Sequence, residues 1–312
     1  MALTKTDGMP RTSVASRRTH TFLRAPRARW LGLLYAAPAI IAYGLVVIVP
    51  LFQSLSYSFY NWDGVTTARW VGVSNYVTFF TDPTLLASLE HVGVLVIFFA
   101  GLPIIFGLLS AGLLGRGRVK GQGIYRWILF LPQVLTSVVV AVIWKRLYGP
   151  DGPINSALNA VGLGNLAHNW LGDFTWALPS LGVIGTWTTL GFCMVLFVAG
   201  VAAIPSELYE QARMDGAGPI QEFFAVTLPG LRGQLAVALT LTITGALRAF
   251  DLVWITTQGG PGDATTTPAL LLYQKAFENP DVGMAAAIGI VLAVFCLAIA
   301  LIITRFSEEK PS

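Results

Sequence analysis

Arg248 and Asp251 are the ionisable pair to consider first, because both fall within a strongly apolar stretch where a charge is costly. Three residues apart on a helix they share a face, so guanidinium and carboxylate could neutralise one another. That face is expected to look into a helix bundle or a cavity. Phe250 and Trp254 add aromatic surfaces beside the pair. In another apolar stretch, Trp187, Thr188 and Thr189 either line a path or serve packing and hydrogen bonding between helices. Reaction chemistry finds less support. No GxxxxGK[ST] run is present, so the chain has no P-loop with which to cradle ATP. Gly162-Leu-Gly164-Asn-Leu-Ala167 has the letters of a dinucleotide fingerprint, but it lies in a short loop with no strand before it. His20, His91 and His168 are scattered among a tail, a helix rim and a loop, and no HExxH or Cys/His spacing supports a metal. Cys193 and Cys296 sit in apolar stretches, as small buried hydrophobes rather than a disulfide. No cofactor is expected on this chain, and enzyme chemistry would lack residues.

The elements that must hold these side chains are membrane helices. Hydrophobic residues make up 54% of the chain and charged ones 12%, with mean hydropathy +0.66, where a soluble domain carries about 25% charged residues. The fold class is therefore all-α and membrane-embedded. Six stretches are long enough to span: residues 30–55, 91–114, 124–147, 178–203, 235–255 and 284–303. Pro38, Pro50, Pro103 and Pro132 fall inside them or at their rims, tolerable where neighbouring helices satisfy the freed backbone groups. A pI near 9.2 does not point to nucleic acid, because the basic residues collect beside apolar segments instead of forming a patch.

Those basic residues set the orientation. Lys5, Arg11, Arg17, Arg18, Arg24, Arg27 and Arg29 precede the first span, and Arg116, Arg118, Lys120 and Arg126 follow the second. Lys145 and Arg146 at the far end of the third span are discordant. The balance puts both termini in the cytoplasm. Arg17-Arg18 faintly resembles a twin-arginine signal, but three more arginines intervene and the apolar run is too long for a signal core. Residues 1–29 are expected to be a disordered basic cytoplasmic tail, residues 30–305 the six-span domain, and residues 306–312 a second cytoplasmic tail.

One polar interruption on the expected cytoplasmic side stands out: Glu210 to Pro229, EQARMDGAGPIQEFFAVTLP. Ser206 is expected to cap a short helix after Pro205, with Glu207 in its first turn. Gly216 and Gly218 are expected to end it and Pro219 to open a second helix. Glu210 and Arg213, three apart, are close enough to pair, and the small Ala212 and Gly216 would let another backbone approach. The segment has the shape of a docking knob.

Its spacing resembles the EAA loop of binding-protein-dependent ABC importer permeases: Glu210, Ala212, Gly216, then Val226, Leu228 and Pro229. Gln211 replaces the first alanine of that pattern, and Val226 stands where isoleucine is usual. Phe250-Asp251 with Gln258-Gly-Gly-Pro-Gly262, Thr265-Thr-Thr and Tyr273 is similar to the carbohydrate-importer branch. So are Leu131-Pro132, Trp144 to Tyr148, Gly152-Pro-Ile-Asn155 and Gly283-Met-Ala-Ala-Ala287. The likeness covers residues 30–305 and points to the first-position sugar permease, without the extra leading spans of the maltose type.

The resemblance implies a type I ABC importer transmembrane domain, with a core over residues 86–304 and a coupling loop over 204–230. It implies a bacterial inner-membrane location, a second permease as heterodimer partner, a dimeric ABC ATPase holding ATP and Mg, and an external sugar-binding protein. Glu210, Ala212, Arg213, Asp215, Gly216 and Pro229 would engage the ATPase. Trp187, Thr188, Arg248, Phe250, Asp251 and Trp254 would line the substrate pathway, with Phe250 and Trp254 as platforms for sugar rings. Against this, Arg248 and Asp251 would merely support the outer gate and the Gly259 to Gly262 loop. That structural role is preferred, because family members with varied substrates share the Asp251 pattern. A glycerol-phosphate importer shares these motifs and would want convergent cations, of which Arg248 is the mid-span one. An ion-coupled secondary transporter would need further intramembrane acids and would leave the Glu210 segment without a purpose.

Overall fold

Asp82 shows how an element boundary arises. Its Oδ1 accepts from the Thr84 and Leu85 amides at 2.9 and 3.1 Å, and Pro83 sits in the first turn where its missing N–H costs nothing. The second span therefore opens at Pro83 rather than His91. The structure is a computed structural model that describes residues 26–114 and 121–307. The expected tails, Arg17-Arg18, Arg116, Arg118 and Lys120 lie outside those residues, save the short stretches next to 26 and 307.

The chain falls into two units, Met1–Leu51 and Phe52–Ser312. In the first, α1 (Pro26–Tyr43) passes through a π-helical turn, Gly44–Ile48, towards α2 (Val49–Tyr57). The second unit begins within α2 and continues into a two-stranded antiparallel ribbon, β1 (Tyr60–Asn61) and β2 (Arg69–Trp70), pairing Tyr60 with Trp70 and Asn61 with Arg69. Helices α3 (Ser74–Thr81), α4 (Pro83–Val96), α5 (Leu102–Leu114), α6 (Gln122–Val134), α7 (Ser137–Leu147) and α8 (Pro153–Ala160) follow. Then come α9 (Ala177–Ala203), α10 (Ser206–Met214), α11 (Pro219–Glu222), α12 (Leu228–Gly230) and α13 (Arg232–Leu247). The last are α14 (Asp251–Thr256), α15 (Pro268–Tyr273) and α16 (Val282–Ser307).

Among the described residues four stretches are long and apolar enough to cross a bilayer unbroken: Tyr35–Tyr57, Pro83–Gly112, Ala177–Ala203 and Val282–Phe306. Two bent pairs pass the same test only when each is taken together, Gly123–Val134 with Ser137–Leu147 bent by 102° and Pro219–Gly230 with Arg232–Leu247 bent by 70°, so the described residues hold four candidate spans, or up to six if each bent pair is one span. The expected third span, 124–147, is thus two helices. Leu135 and Thr136 are extended, and Thr136 Oγ1 caps α7 by accepting from the Val139 amide at 3.5 Å. The expected fifth span, 235–255, is corrected too. Its main helix, α13, begins at Arg232 and stops at Leu247, and the chain restarts as the short α14. The Ala249 carbonyl freed by that stop accepts from Thr267 Oγ1 at 2.9 Å.

Proline explains the π turns. Among the described residues Gly44–Ile48, Ile97–Gly101, Phe223–Thr227 and Gln274–Glu278 each end two residues before a proline: Pro50, Pro103, Pro229 and Pro280. Proline lacks the N–H and crowds the carbonyl one turn back, so the backbone widens to i→i−5 pairing. At Pro103 the Phe98 and Phe99 carbonyls lose donors, and the Thr186 and Thr189 hydroxyls of α9 supply them at 2.7 and 3.2 Å.

Helix α9 is the central post. Buried Cys193, Met194, Phe197, Val198 and Val201 pack with Ala100, Ile104 and Ala111 at one end, while Leu178, Leu181 and Ile184 pack with Leu95, Val140 and Val253 at the other. Two of its glycines are obligatory. A Cβ at Gly185 would overlap the Phe99 ring, and one at Gly191 would strike the Leu129 carbonyl of α6. A third core joins Phe79, Leu85 and Val92 to Met284, Ile288 and Val291 of α16.

Candidate functional site

At the end of the bundle opposite the ribbon, Pro205 turns the chain out of α9, because Ile204 before it is extended. Helix α10 starts at once, so Ser206 lies in its first turn and makes no capping bond. The cap expected there is not formed, although Glu207 does occupy the first turn. The far end closes as a Schellman motif. Gly216 has φ +82, its amide reaches the Arg213 carbonyl at 3.0 Å, and the Ala217 amide reaches Ala212 at 2.9 Å. Gly218 belongs to the next helix rather than ending this one, its amide donating to Gln221 Oε1 at 2.9 Å ahead of Pro219.

The reversal at Gly216 decides the ion pairing. Arg213 Nε lies 2.7 Å from Glu222 Oε1, with the Glu222 side chain 5% exposed. A buried carboxylate outcompetes an exposed one for the guanidinium because its desolvation is what the cation offsets. Arg213 therefore does not pair with Glu210, which stays exposed. Tyr209, one turn before Arg213 on the same face of α10, is buried and places its hydroxyl 3.2 Å from Thr227 Oγ1. Ala212 is half-buried, and Asp215, Gly216 and Pro229 are exposed. Beside the acids, Met214, Ile220 and Phe224 are 88%, 74% and 62% exposed. An acidic surface with protruding apolar side chains suits a protein partner.

Mid-bundle, the two helix breaks leave two cavities on either side of Gln133. One, about 200 Å³, is lined by Phe99, Ser137, Thr188, Thr189 and Leu252; the other, about 270 Å³, by Phe192, Leu241, Thr242 and Gly245. Thr188 thus reaches a cavity, donating to the Gly185 carbonyl at 2.9 Å. Trp187 does not line either one, and packs edge-on to Trp144 at 5.5 Å. Gln133, Ser137 and Thr242 went unnoticed in the sequence, where the signal was a lone amide directly after Pro132.

Arg248 and Asp251 are corrected as well. The break separates them, Arg248 closing α13 and Asp251 opening α14, so they share no helical face and form no ion pair. Both are exposed on this chain. Phe250 and Trp254 do come together, stacked at 6.1 Å, with Tyr273 4.9 Å from each and Phe277 5.2 Å beyond it.

The loops at the ribbon end are scaffolding. Thr265, Thr266 and Thr267 are buried, and their hydroxyls bind the Gly260, Gly259 and Ala249 carbonyls. His91 Nδ1 lies 2.9 Å from the Thr266 carbonyl. Asn155 ties the Pro150 and His168 carbonyls and accepts from Trp170 Nε1 at 2.8 Å. Lys145, discordant for topology, donates to the Ile255 carbonyl at 3.3 Å, capping α14. Gly164–Leu166 is a single 3-10 turn in a loop, not the strand-to-helix turn a dinucleotide needs.

A family model described as "Binding-protein-dependent transport system inner membrane component" matches residues 103–309. The chain is 34% identical over 276 residues, 88% of its length and 94% of the relative, to the probable ABC transporter permease protein YurN of Bacillus subtilis. It is 31% identical to the diacetylchitobiose uptake system permease protein NgcF of Streptomyces coelicolor, over 95% of this chain and 90% of that one. It is 30% identical to the multiple sugar-binding transport system permease protein MsmF of Streptococcus mutans, over 83% and 89%. Among solved structures, a chain of a bacterial ABC transporter that imports alginate superposes with TM-score 0.78 at 23% identity, covering 92% of this chain and 98% of that one, a likeness of fold.

Proposed function

The chain belongs to the family of binding-protein-dependent transport system inner membrane components, and from that premise we propose that it is one permease of an ATP-driven sugar importer. The observation that carries the reading is the exposed α10–α11 hairpin, which serves as the coupling element. Glu210, Asp215, Met214 and Ile220 meet a separate ATPase subunit, which binds ATP and Mg, since this chain has no P-loop. Two permeases enclose one path, and each presents its hairpin to one ATPase of a dimer. Closure of the ATPases draws the hairpins together and rocks the helices outward-facing, and hydrolysis returns them. Such a change needs two discrete packings carried by rigid helices rather than a gradual deformation. Both termini and the hairpin lie in the cytoplasm, and the ribbon end receives the binding protein.

Sugar is the cargo that the relatives' names and the local chemistry both favour. The cavities beside Gln133 offer amide and hydroxyl groups at discontinuous helices, the arrangement transporters use at the membrane midplane. Phe250, Trp254 and Tyr273 present ring faces, and Arg248 and Asp251 cancel in charge, which suits a neutral polyol better than a phosphate ester. Glu210→Ala tests the coupling. It should insert normally yet lose ATPase affinity or uptake, and wild-type uptake together with wild-type ATPase affinity would remove Glu210 from the mechanism.

A further inference from the structure

The hairpin must pass force from its tip to the spans, and a cleft lies along part of its inner side. An apolar cleft of about 550 Å³ separates it from the end of α5, bordered by Leu108, Gly112, Ile220 and Phe223. Force applied at Met214 or Ile220 would be lost there if α10 and α11 moved independently. Three contacts within the hairpin oppose that motion. Gly218 donates to Gln221, the Tyr209 hydroxyl meets Thr227, and Arg213 meets Glu222 at 2.7 Å. The ion pair joins the two arms directly across the Asp215 to Gly218 turn, and the Tyr209–Thr227 contact joins α10 to the returning arm further on. Its carboxylate is 5% exposed and its guanidinium side chain 61% exposed, so the pair sits at the mouth of the cleft. Charge-assisted hydrogen bonds of this kind are short and roughly twice as strong as neutral ones.

We infer that Arg213 and Glu222 are positioning residues for coupling: they lock the two arms into one lever, and Arg213 acts through Glu222 rather than by touching the ATPase. The inference rests on the coupling role of the hairpin and assigns Arg213 a different part within it. Removing the lock leaves the tip surface intact. The ATPase still docks and still hydrolyses ATP, but hydrolysis no longer moves the spans efficiently.

The test uses the complete importer, with both permeases, the ATPases and the binding protein, in proteoliposomes. Arg213→Gln, Glu222→Gln and the double variant are compared for ATPase co-purification, thermal midpoint, and sugar taken up per ATP hydrolysed. Each single change should lower uptake per ATP about tenfold, within the usual range for coupling between two sites, with co-purification unchanged. The double variant should fall no further than the worse single, because residues acting through one contact are not additive. Three results would overturn the lock: an unchanged uptake per ATP, additive losses, or a loss matched by lost co-purification. The last would make Arg213 a docking residue and leave the hairpin's coupling role standing. If Glu210→Ala in the same series also kept uptake and co-purification at wild-type levels, the coupling role itself would fall.

Discussion

Thr267→Val removes one hydroxyl and keeps the shape of the side chain, so it isolates what that hydroxyl does. Thr267 is 0% exposed; its Oγ1 donates to the Ala249 carbonyl at 2.9 Å and accepts from the Leu270 amide at 3.3 Å. The first bond closes the break between α13 and α14, and the second caps α15. Ala249 is 8% exposed, so its carbonyl has little access to water once the donor is gone. An unsatisfied buried acceptor costs about 1–3 kcal/mol, and loss of a threonine cap about 1 kcal/mol. The sum is about 3 kcal/mol, which for a chain of 312 residues with an unfolding entropy of about 2.1 cal/mol/K per residue lowers Tm by about 5 °C. Thermal unfolding of the purified complex in detergent measures it. Uptake should fall as well, because the same bond sets the angle at which α14 presents Asp251 and Trp254. Thr267→Ser retains the hydroxyl and should stay near wild type. Equal Tm and uptake for the valine and wild-type proteins would refute the idea that this hydroxyl holds the broken span.

Gly191→Leu should abolish folded protein in the membrane, since even a Cβ there strikes the Leu129 carbonyl; membrane yield reads it directly. Gln133→Ala should raise the KM for sugar several-fold with ATPase co-purification unchanged, and an unaltered KM in uptake assays would remove the cavities from the path. The ribbon is pH-sensitive through Asp63, whose carboxyl accepts from the Thr66 and Val65 amides and is held below 3.8. A depressed carboxylate contributes stability above its unfolded value and loses it as pH falls through the lower folded value. Amide exchange at Val65 and Thr66 should therefore speed up relative to other ribbon amides below pH 3.8, and Asp63→Ala should abolish that dependence.

Much of this was legible in residue types alone. Apolar runs located α9 and α16 to within a few residues, since a long stretch without charges admits little else. The Glu210 segment announced its turn through Gly216 and Pro219, residues whose backbone preferences are local. What failed was anything that tertiary partners decide. Glu210 and Arg213 sit at ideal helical spacing, but the chain reversal brings a buried Glu222 within reach, and burial wins. The spans at 124–147 and 235–255 read as continuous because hydropathy does not see a helix stop that Thr136 or Thr267 can satisfy from the side. Lys145 stood out as discordant for the same reason: its partner is a carbonyl 110 residues away.

The central claim is that the α10–α11 hairpin engages an ATPase subunit. A photo-crosslinking residue placed at Met214, 88% exposed at the hairpin tip, tests it in membranes containing the whole importer. Illumination should join this chain to the ATPase there, and the same label at Val65 in the ribbon should give none. An importer that transports normally while position 214 crosslinks only to lipid or to the other permease would contradict the account.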